Sequence, residues 1–342
     1  MREDRTLMYA EAELAADCIR RQASEAKDAI EATGHALRAL RPGFLATIAR
    51  GSSDHAATYG KYAIETATGV PVTSHAPSIS SIYHANSTMR GAACIAISQS
   101  GRSPDLIAAL KRARSGGALA IAVVNDVASP LAGHADHVLP LCAYPETAVA
   151  ATKSYLASLA ITARIVAAWA QDRSLADALE HLPDAMSQSW DMDWSDAEAA
   201  IVPARSLYVI GRGMGLGVAQ EAALKFKETC RIHAEAYSAA EVLHGPAAVV
   251  REGFPVLAFV QEDESAASVR ETCVRLADMG ARVFVAGARV TGCTSLPTLP
   301  FDARLQPILH AQSFYRLVNR CALALGENPD QPPHLMKVTK TT

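Results

Sequence analysis

A serine-rich loop, residues 98–103 (SQSGRS), is the part of the sequence whose residue types point most directly to chemistry. It follows an apolar run at 93–98 and precedes Pro104, which suits the first position of a helix with Ser103 as its N-cap. The hydroxyl groups of Ser98, Ser100 and Ser103, with backbone N–H groups at a helix N-terminus, could bind a dianionic phosphate group. A simple capped turn is the alternative, because serine-rich loops commonly form one.

Two further serines, Ser52 and Ser53, follow an earlier apolar run at 44–49. Both apolar runs are typical of strands in one parallel sheet. The carboxyl ends of such strands form the ligand-binding crevice of an open α/β sheet. The two serine-containing loops are therefore expected at the same edge of the sheet.

A lysine and a glutamate share one face of a helix predicted within 221–246. Lys225, Glu228 and Ile232 are spaced i, i+3 and i+7, which places them on that face. Such a pair is commonly a solvated ion pair. The neighbouring apolar side chains of Phe226 and Ile232 favour partial burial instead, and a partly desolvated glutamate could take up and return a proton.

Two segments in the second half of the chain are weaker candidates for functional residues. His244 lies in Leu-His-Gly-Pro at 243–246, where a helix must end and the loop can hold the imidazole in place. The tail at 330–338 (DQPPHLMKV) contains prolines that exclude a helix. By itself, that composition is typical of a frayed chain end.

The sequence predicts neither a nucleotide cofactor nor a metal site. In the glycine-rich segment 211–217 (GRGMGLG), the third glycine of the dinucleotide fingerprint would fall at Leu216. The phosphate-loop pattern GxxxxGK[ST] does not occur either. His233 and Glu235 do not fit the HExxH metal motif, and the seven cysteines are scattered without a CxxC pair.

Length and composition exclude several classes of protein. The 342 residues are 50 % hydrophobic and 20 % charged, which predicts two folded domains rather than disorder. The formal net charge of -3 provides no basic surface for nucleic acid or an anionic membrane. No apolar run approaches the ~20 residues of a membrane helix, and no secretory signal is visible. A reduced, cytoplasmic setting is expected.

Apolar runs alternate with helical stretches after an N-terminal helical segment, which predicts parallel sheets covered by helices on both faces. Three runs recur in order at offsets near 162 residues. They are 45–52 with 207–214, 95–100 with 256–261, and 118–125 with 281–288. This recurrence indicates a duplicated domain with a linker at 171–196. Two unrelated α/β domains of similar pattern are the alternative.

Together these motifs resemble the sugar isomerase (SIS) domain family. Within that family the chain resembles the isomerase half of glutamine-dependent glucosamine-6-phosphate synthase, and it resembles the SIS-type glucosamine-6-phosphate deaminases still more. It rests on SQSG at 98–101, EAALKFKE at 221–228, IHAEAYSAAEVLHGP at 232–246 and DQPxxLxK at 330–337, and it covers essentially the whole chain. It implies two tandem three-layer αβα domains, each a parallel sheet flanked by helices. The implied limits are a helical segment at 1–40, SIS domains at 41–175 and 195–325, and a lid-like tail at 326–342.

The resemblance also implies roles for individual residues. Glu228 matches the acid/base that moves a proton between C1 and C2, and Lys225 matches a lysine beside it. His244 matches a ring-opening histidine supplied by a neighbouring subunit, and Lys337 matches a tail lysine that closes over the open-chain sugar. Ala151 stands where the synthase has serine. The implied sugar-phosphate contacts are Ser52, Ser53, Ser98, Gln99, Ser100, Ser103 and Val149.

Departures from the synthase pattern favour a deaminase. The synthase begins with a glutaminase domain, which is not expected here because Met1 lies just before the SIS region. The loop reads SQSGRSPD in place of SQSGETADT, and the tail reads KVTKT in place of KSVTVE. The resemblance thus implies a homodimer without cofactor or metal that converts glucosamine 6-phosphate and water to fructose 6-phosphate and ammonia.

Three alternatives stay open at the level of sequence. The substrate could be another sugar phosphate, such as a galactosamine derivative, because the same site chemistry serves both. The reaction could run towards amination of fructose 6-phosphate, with ammonia or a partner glutaminase. The protein could also be a phosphosugar sensor without turnover, although such sensors carry a DNA-binding motif or lose the acid/base pair.

Overall fold

Strands alternate with helices, as the sequence predicts, in the computed structural model, which describes residues 6–337. The first five residues of the expected N-terminal segment and the last five of the expected tail lie outside the described residues. Contacts divide the chain into two units. Among the described residues, the first-sheet unit comprises 17–146, 153–183 and 336–337, and the second-sheet unit comprises 6–16, 147–152 and 184–335.

The elements up to residue 190 begin with three consecutive helices and end with two. In chain order they are α1 (Leu7–Glu13), α2 (Ala15–Glu25), α3 (Lys27–Leu40), β1 (Leu45–Ile48), α4 (Ser52–Thr68), β2 (Val72–Ser74), α5 (Pro77–Ser81), β3 (Ala93–Ser98), α6 (Pro104–Ser115), β4 (Leu119–Val124), β5 (His137–Pro140), α7 (Lys153–Ala170) and α8 (Arg173–Trp190).

The remaining elements repeat the alternation of strand and helix. They are α9 (Ser195–Ile201), β6 (Ser206–Gly211), α10 (Gly215–Cys230), β7 (His233–Ser238), β8 (Pro255–Phe259), α11 (Ala266–Asp278), β9 (Arg282–Ala286), β10 (Thr294–Leu296) and α12 (Gln306–Ala324). Within the described residues, no helix is both long and apolar enough to cross a membrane.

The strands form two parallel sheets with the same strand order. The first has the order β2-β1-β3-β4-β5, and the second, taken from its other edge, has the order β7-β6-β8-β9-β10. Ala46 pairs with Cys94 in the first sheet, and 162 positions later Tyr208 pairs with Val256 in the second. The pairing register therefore keeps the offset of the sequence repeat. The prediction of two α/β domains with parallel sheets is confirmed.

The central strands are apolar throughout because helices cover both faces of each sheet. Leu45–Ile48 and Ala93–Ser98 are buried at every position, and α4 and α6 both contact β3. A strand buried on both faces has no solvent side on which polar residues could alternate. The continuous apolar runs of the sequence follow directly from this arrangement.

The structure differs from the sequence-based expectation at three edge strands and at the expected linker. The edge strands β2, β7 and β10 are not predicted, because polar residues make up half or more of VTS, HAEAYS and TSL. The expected linker at 171–196 is mostly the helix α8, with Pro183 inside it. Buried Leu175, Leu179, Leu182 and Met186 recur at helical spacing and explain why this polar stretch is helical.

A buried histidine on α12 makes the stability of the second-sheet unit dependent on pH. His310 stacks on Phe259, and both its ring nitrogens lack a hydrogen-bond partner among the described residues. Burial lowers the pKa of His310 to about 4. An unfolded histidine binds a proton below about pH 6.5. Between pH 6.5 and 4 the unfolded state therefore binds more protons, and stability falls as the pH falls.

The expected loss of unfolding free energy between pH 7.5 and pH 4.5 is up to about 3 kcal/mol from this residue. Urea denaturation at both pH values, in wild type and in His310→Phe, measures it. The phenylalanine variant should lose less stability over that interval, because the other titrating groups are common to both proteins. An equal loss in both proteins would contradict the assignment.

Candidate active site

The serine loop lies between the carboxyl end of β3 and the start of α6. The Oγ of Ser98 accepts a hydrogen bond from the N–H of Gly101 at 3.1 Å, and the Oγ of Ser100 accepts one from the N–H of Arg102 at 3.3 Å. Each hydroxyl thus uses its oxygen to shape the loop and retains an O–H group for donation. The oxygens of a phosphate group are matching acceptors.

Three other polar side chains of the predicted phosphate site, those of Ser53, Gln99 and Ser103, have no hydrogen-bond partner within the described part of the chain. Ser53, Gln99 and Ser103 are half-buried, and no side-chain hydrogen bond joins them to residues 6–337. Ser103 occupies the N-cap position of α6, as predicted, but its hydroxyl makes no capping hydrogen bond. These groups are therefore open to a bound anion.

An ion pair joins the two serine-containing loops. Arg50, just before Ser52 and Ser53, places its Nε 3.1 Å and its Nη2 3.0 Å from Oδ2 of Asp105. The Asp105 carboxylate is fully buried and also accepts the N–H of Leu106 at 2.9 Å. The N-termini of α4 and α6 consequently lie at one edge of the sheet, where their partial positive charge favours an anion.

Gly101 allows the serine loop to make its turn, so a side chain there should disrupt the loop. Its φ is +61°, and an added Cβ would lie 2.1 Å from Oγ of buried Ser129. In Gly101→Ala we expect kcat/KM for a sugar phosphate to fall by about 10²-fold, because misplacing binding groups by about 1 Å has effects of that size. Steady-state kinetics on the folded variant measures the loss.

Gly133→Ala is the matched control for this substitution. A Cβ on Gly133 would meet no atom within 4 Å, and its φ is not positive. Its kinetics should equal those of wild type. If Gly101→Ala also has the kinetics of wild type, the loop conformation has no role in substrate binding.

The second cluster of predicted residues lies on α10, where a buried lysine joins two glutamates. The Nζ of Lys225 lies 2.5 Å from Oε2 of Glu228 and 3.2 Å from Oε1 of Glu221. Burial alone would lower the pKa of Lys225, but the two carboxylates outweigh it and raise that pKa above its ordinary value. The lysine is therefore a fixed cation, and it holds Glu228 in one orientation.

The two glutamates, Glu221 and Glu228, differ in their exposure to solvent. Glu221 is 1 % exposed and accepts a hydrogen bond from the hydroxyl of Tyr315 at 3.0 Å. Glu228 is 21 % exposed and lines a cavity of about 520 Å³. A carboxylate that is anchored on one side and open on the other can exchange a proton with a bound molecule.

The expectation that Ile232 shares the helical face of Lys225 and Glu228 is wrong. The helix ends at Cys230, because Arg231 adopts a left-handed conformation with φ 55°. Ile232 lies beyond this turn, although it also lines the cavity beside Glu228. The i, i+3 relation of Lys225 and Glu228 is present as predicted.

His244 and Val149 lie elsewhere in the second-sheet unit. His244 follows a short 3-10 turn and is exposed, and it is not among the residues that line the cavity beside Glu228. The N–H of Val149 donates to the carbonyl oxygen of Asp330 at 3.0 Å. Within residues 6–337, no hydrogen bond or ion pair joins either residue to Lys225 or Glu228.

Lys337, the predicted tail lysine, belongs to the first-sheet unit. Its Nζ lies 2.8 Å from Oε2 of Glu146, whose side chain is fully buried. The predicted residues are thus distributed over both units. The first-sheet unit holds Ser52, Ser53, Ser98, Gln99, Ser100, Ser103 and Lys337, and the second-sheet unit holds Val149, Lys225, Glu228 and His244.

Sequence reasoning missed three charged residues of these clusters. Glu221 lies four residues before Lys225, so helical spacing could have identified it. Arg50 immediately precedes the Gly-Ser-Ser turn, and a cation next to a predicted anion site is the signal that could have identified it. Glu146 has no local signal, because its partner lies 191 residues away.

Comparison with known proteins identifies the domains. The SIS domain matches residues 44–168 and 200–286. A glutamine–fructose-6-phosphate aminotransferase (isomerizing) of Symbiobacterium thermophilum is 36 % identical over 327 residues, which cover 88 % of this chain and 52 % of that protein. A second such aminotransferase, from Halobacterium salinarum, is 32 % identical over 86 % of this chain and 51 % of its own. The chain therefore spans about half the length of these relatives.

Solved structures have the same fold. A candidate phosphosugar isomerase of Silicibacter pomeroyi DSS-3 has 42 % identity and a TM-score of 0.92, covering 95 % of this chain and 100 % of its own. The C-terminal domain of glucosamine-fructose-6-phosphate aminotransferase from Francisella tularensis has 24 % identity and a TM-score of 0.84, covering 96 % and 98 %. With its two matched segments and duplicated parallel sheets, this chain belongs to the SIS domain family.

Proposed function

We propose that this protein is a phosphosugar isomerase of the SIS type that converts glucosamine 6-phosphate and water to fructose 6-phosphate and ammonia. The observation that carries the proposal is the carboxylate of Glu228, which buried Lys225 fixes at the wall of a cavity. An anchored carboxylate of this kind suits proton transfer between adjacent carbons of a sugar. The similar protein of Silicibacter pomeroyi, described as a candidate phosphosugar isomerase, supports the same class of reaction.

The proposed reaction begins with opening of the pyranose ring, assisted by the imidazole of His244. Glu228 then takes the proton from C2 of the open-chain aldehyde, and the aldehyde oxygen becomes a hydroxyl group. Glu228 returns its proton to C1, and the amino nitrogen loses one proton, which balances the proton taken up by the aldehyde oxygen and gives the ketimine at C2. Water adds to this ketimine, and ammonia leaves as the ketone of fructose 6-phosphate forms. C1 is reduced as C2 is oxidised, so the reaction needs no external oxidant or reductant.

The serine loop is proposed to bind the phosphate group. Its free hydroxyl groups and the N-termini of α4 and α6 provide donors and a favourable dipole for a dianion. Binding energy at the phosphate, remote from C1 and C2, can orient the open chain for proton transfer. We also propose a homodimer in which His244 is supplied by the neighbouring subunit, in keeping with its exposed position.

Ammonia release from glucosamine 6-phosphate by the purified protein tests the proposal directly. Parallel assays with galactosamine 6-phosphate and the N-acetyl forms of both sugars identify the accepted substrate. Turnover of glucosamine 6-phosphate above the others is the expected result. Binding of these sugars in a thermal-shift assay without any turnover would instead favour a phosphosugar sensor.

A second candidate, amination of fructose 6-phosphate, is favoured by the names of the aminotransferase relatives. One active site catalyses both directions, so ammonia-dependent formation of glucosamine 6-phosphate does not separate the two. Glutamine-dependent formation of glucosamine 6-phosphate in the presence of a separate glutaminase does separate the two reactions. Product formation from glutamine that exceeds the rate with the equivalent free ammonia would favour the aminating role.

A further inference from the structure

An ion pair between a loop and the tail lies within the first-sheet unit and is not explained by the clusters described above. The Nζ of Lys337 lies 2.8 Å from Oε2 of Glu146. The carboxylate side chain has no exposed surface, whereas the lysine side chain is 24 % exposed. A fully buried carboxylate is unfavourable without a cation and hydrogen bonds. The pair therefore gives Glu146 a strong preference for a bound ammonium group.

The Glu146 carboxylate is held in place from the other side by the first turn of α7. The N–H of Ser154 donates to Oε1 at 3.0 Å, and the hydroxyl of Ser154 donates to Oε2 at 2.7 Å. Burial would raise the pKa of Glu146, but Lys337 and the Ser154 hydrogen bonds outweigh it and lower that pKa. The side chain is thus an oriented anion.

The loop before Glu146 is locally strained and is held by hydrogen bonds from a neighbouring side chain. Cys142 and Tyr144 both have positive φ, at 55° and 52°, which is costly for residues other than glycine. Asn125 stabilises this conformation by accepting the N–H of Ala143 at 2.9 Å and donating to the carbonyl of Tyr144 at 2.8 Å. The guanidinium of Arg21 lies 3.8 Å from the centre of the Tyr144 ring. These contacts fix the position from which Glu146 extends.

We propose that Glu146 is a positioning residue that holds the ammonium group of Lys337 within the unit that carries the serine loop. Its effect on turnover rests on the proposed function and on the role that the family resemblance implies for Lys337, which is to close over the open-chain sugar. Its effect on the ammonium group of Lys337 does not depend on the proposed function. The proposal can therefore be tested both without substrate and with it.

The test without substrate measures how fast the Lys337 amine is acetylated by acetic anhydride, quantified by mass spectrometry in the full-length protein. In Glu146→Gln the rate at Lys337 should rise by about tenfold, as expected for the loss of a hydrogen bond to a charged group. Glutamine preserves the size of the side chain and can still bond Ser154. Rates at the other lysines should stay unchanged.

Glu11→Gln is the matched control. Glu11 is also a buried glutamate and bonds the adjoining residues, accepting from the hydroxyl of Thr147 at 3.0 Å and the N–H of Ala148 at 3.2 Å. No hydrogen bond or ion pair joins Glu11 to Lys337 among the described residues. The Lys337 rate should therefore equal wild type in this variant. An unchanged Lys337 rate in Glu146→Gln, or an equal rise in Glu11→Gln, would overturn the proposal.

The test with substrate compares Glu146→Gln, Lys337→Met and the double variant. If Glu146 acts through Lys337, kcat/KM in the double variant should equal that in Lys337→Met alone, and Glu11→Gln combined with Lys337→Met should show independent effects. Independent effects of Glu146 and Lys337 would also overturn the proposal. Absence of turnover in wild type refutes the proposed function alone, since the acetylation result stands without it.

Discussion

Replacing Glu228 by glutamine is expected to lower kcat for glucosamine 6-phosphate by about 10²–10⁴-fold, the usual contribution of a positioned acid/base group. The amide keeps the shape of the side chain and can accept a hydrogen bond from Lys225, but it cannot take a proton from C2. Folding should be preserved, because Lys225 retains the carboxylate of Glu221 at 3.2 Å. Steady-state ammonia release and a denaturation curve for the same preparation measure both effects.

Glu271→Gln provides the matched control for the loss of one carboxylate. Glu271 is an exposed residue on α11, where it pairs with Arg275. Surface pairs of this kind contribute little, so activity and stability should both equal those of wild type. Full activity of the Glu228→Gln protein would refute the proposed proton transfer. A loss of activity accompanied by unfolding would show that Glu228 is needed for structure instead.

Replacing Lys225 by methionine should have the largest effect on stability. Methionine fits the apolar stem of the lysine, but it leaves the buried Glu221 and the partly buried Glu228 without their shared cation. Removing one partner of a buried ion pair typically costs about 3–5 kcal/mol, because the remaining charge is uncompensated. Urea denaturation at neutral pH measures the loss of unfolding free energy.

Two further variants separate this explanation from a simple packing defect. Lys227→Met changes an exposed lysine on the same helix and should alter stability by less than about 0.5 kcal/mol. Adding Glu221→Gln to Lys225→Met should restore part of the lost stability, because the amide needs no cation and can still accept from Tyr315. A double variant less stable than Lys225→Met would argue against the uncompensated charge as the cause.

The fold follows from patterns that are local in sequence. Runs such as Leu45–Ile48 and Ala93–Ser98 are apolar at every position because both faces of the sheet are covered. The offset of 162 residues between the repeated runs reappears in the strand register. The edge strands β2, β7 and β10 are not predicted, because a strand at the edge of a sheet does not need an apolar residue at each position.

Local patterns also determined much of the candidate site. Helical spacing places Lys225 and Glu228 on one face of α10, and the loop between a buried strand and Pro104 places the serine hydroxyls at a helix N-terminus. Spacing along a helix does not say which of two glutamates faces solvent. That choice depends on α12, where the hydroxyl of Tyr315 engages Glu221 and leaves Glu228 beside the cavity.

The sequence by itself determined the duplicated parallel α/β architecture and the residues that can carry acid/base and phosphate-binding chemistry, because each depends on neighbours within one helix, strand or turn. Only the tertiary structure decided how charges far apart in the chain are paired. Arg50 with Asp105, and Glu146 with Lys337, are separated by 55 and 191 residues. A buried charge is stable only beside a partner, and the fold can supply that partner from a distant part of the chain. Local sequence periodicity does not predict such a pair.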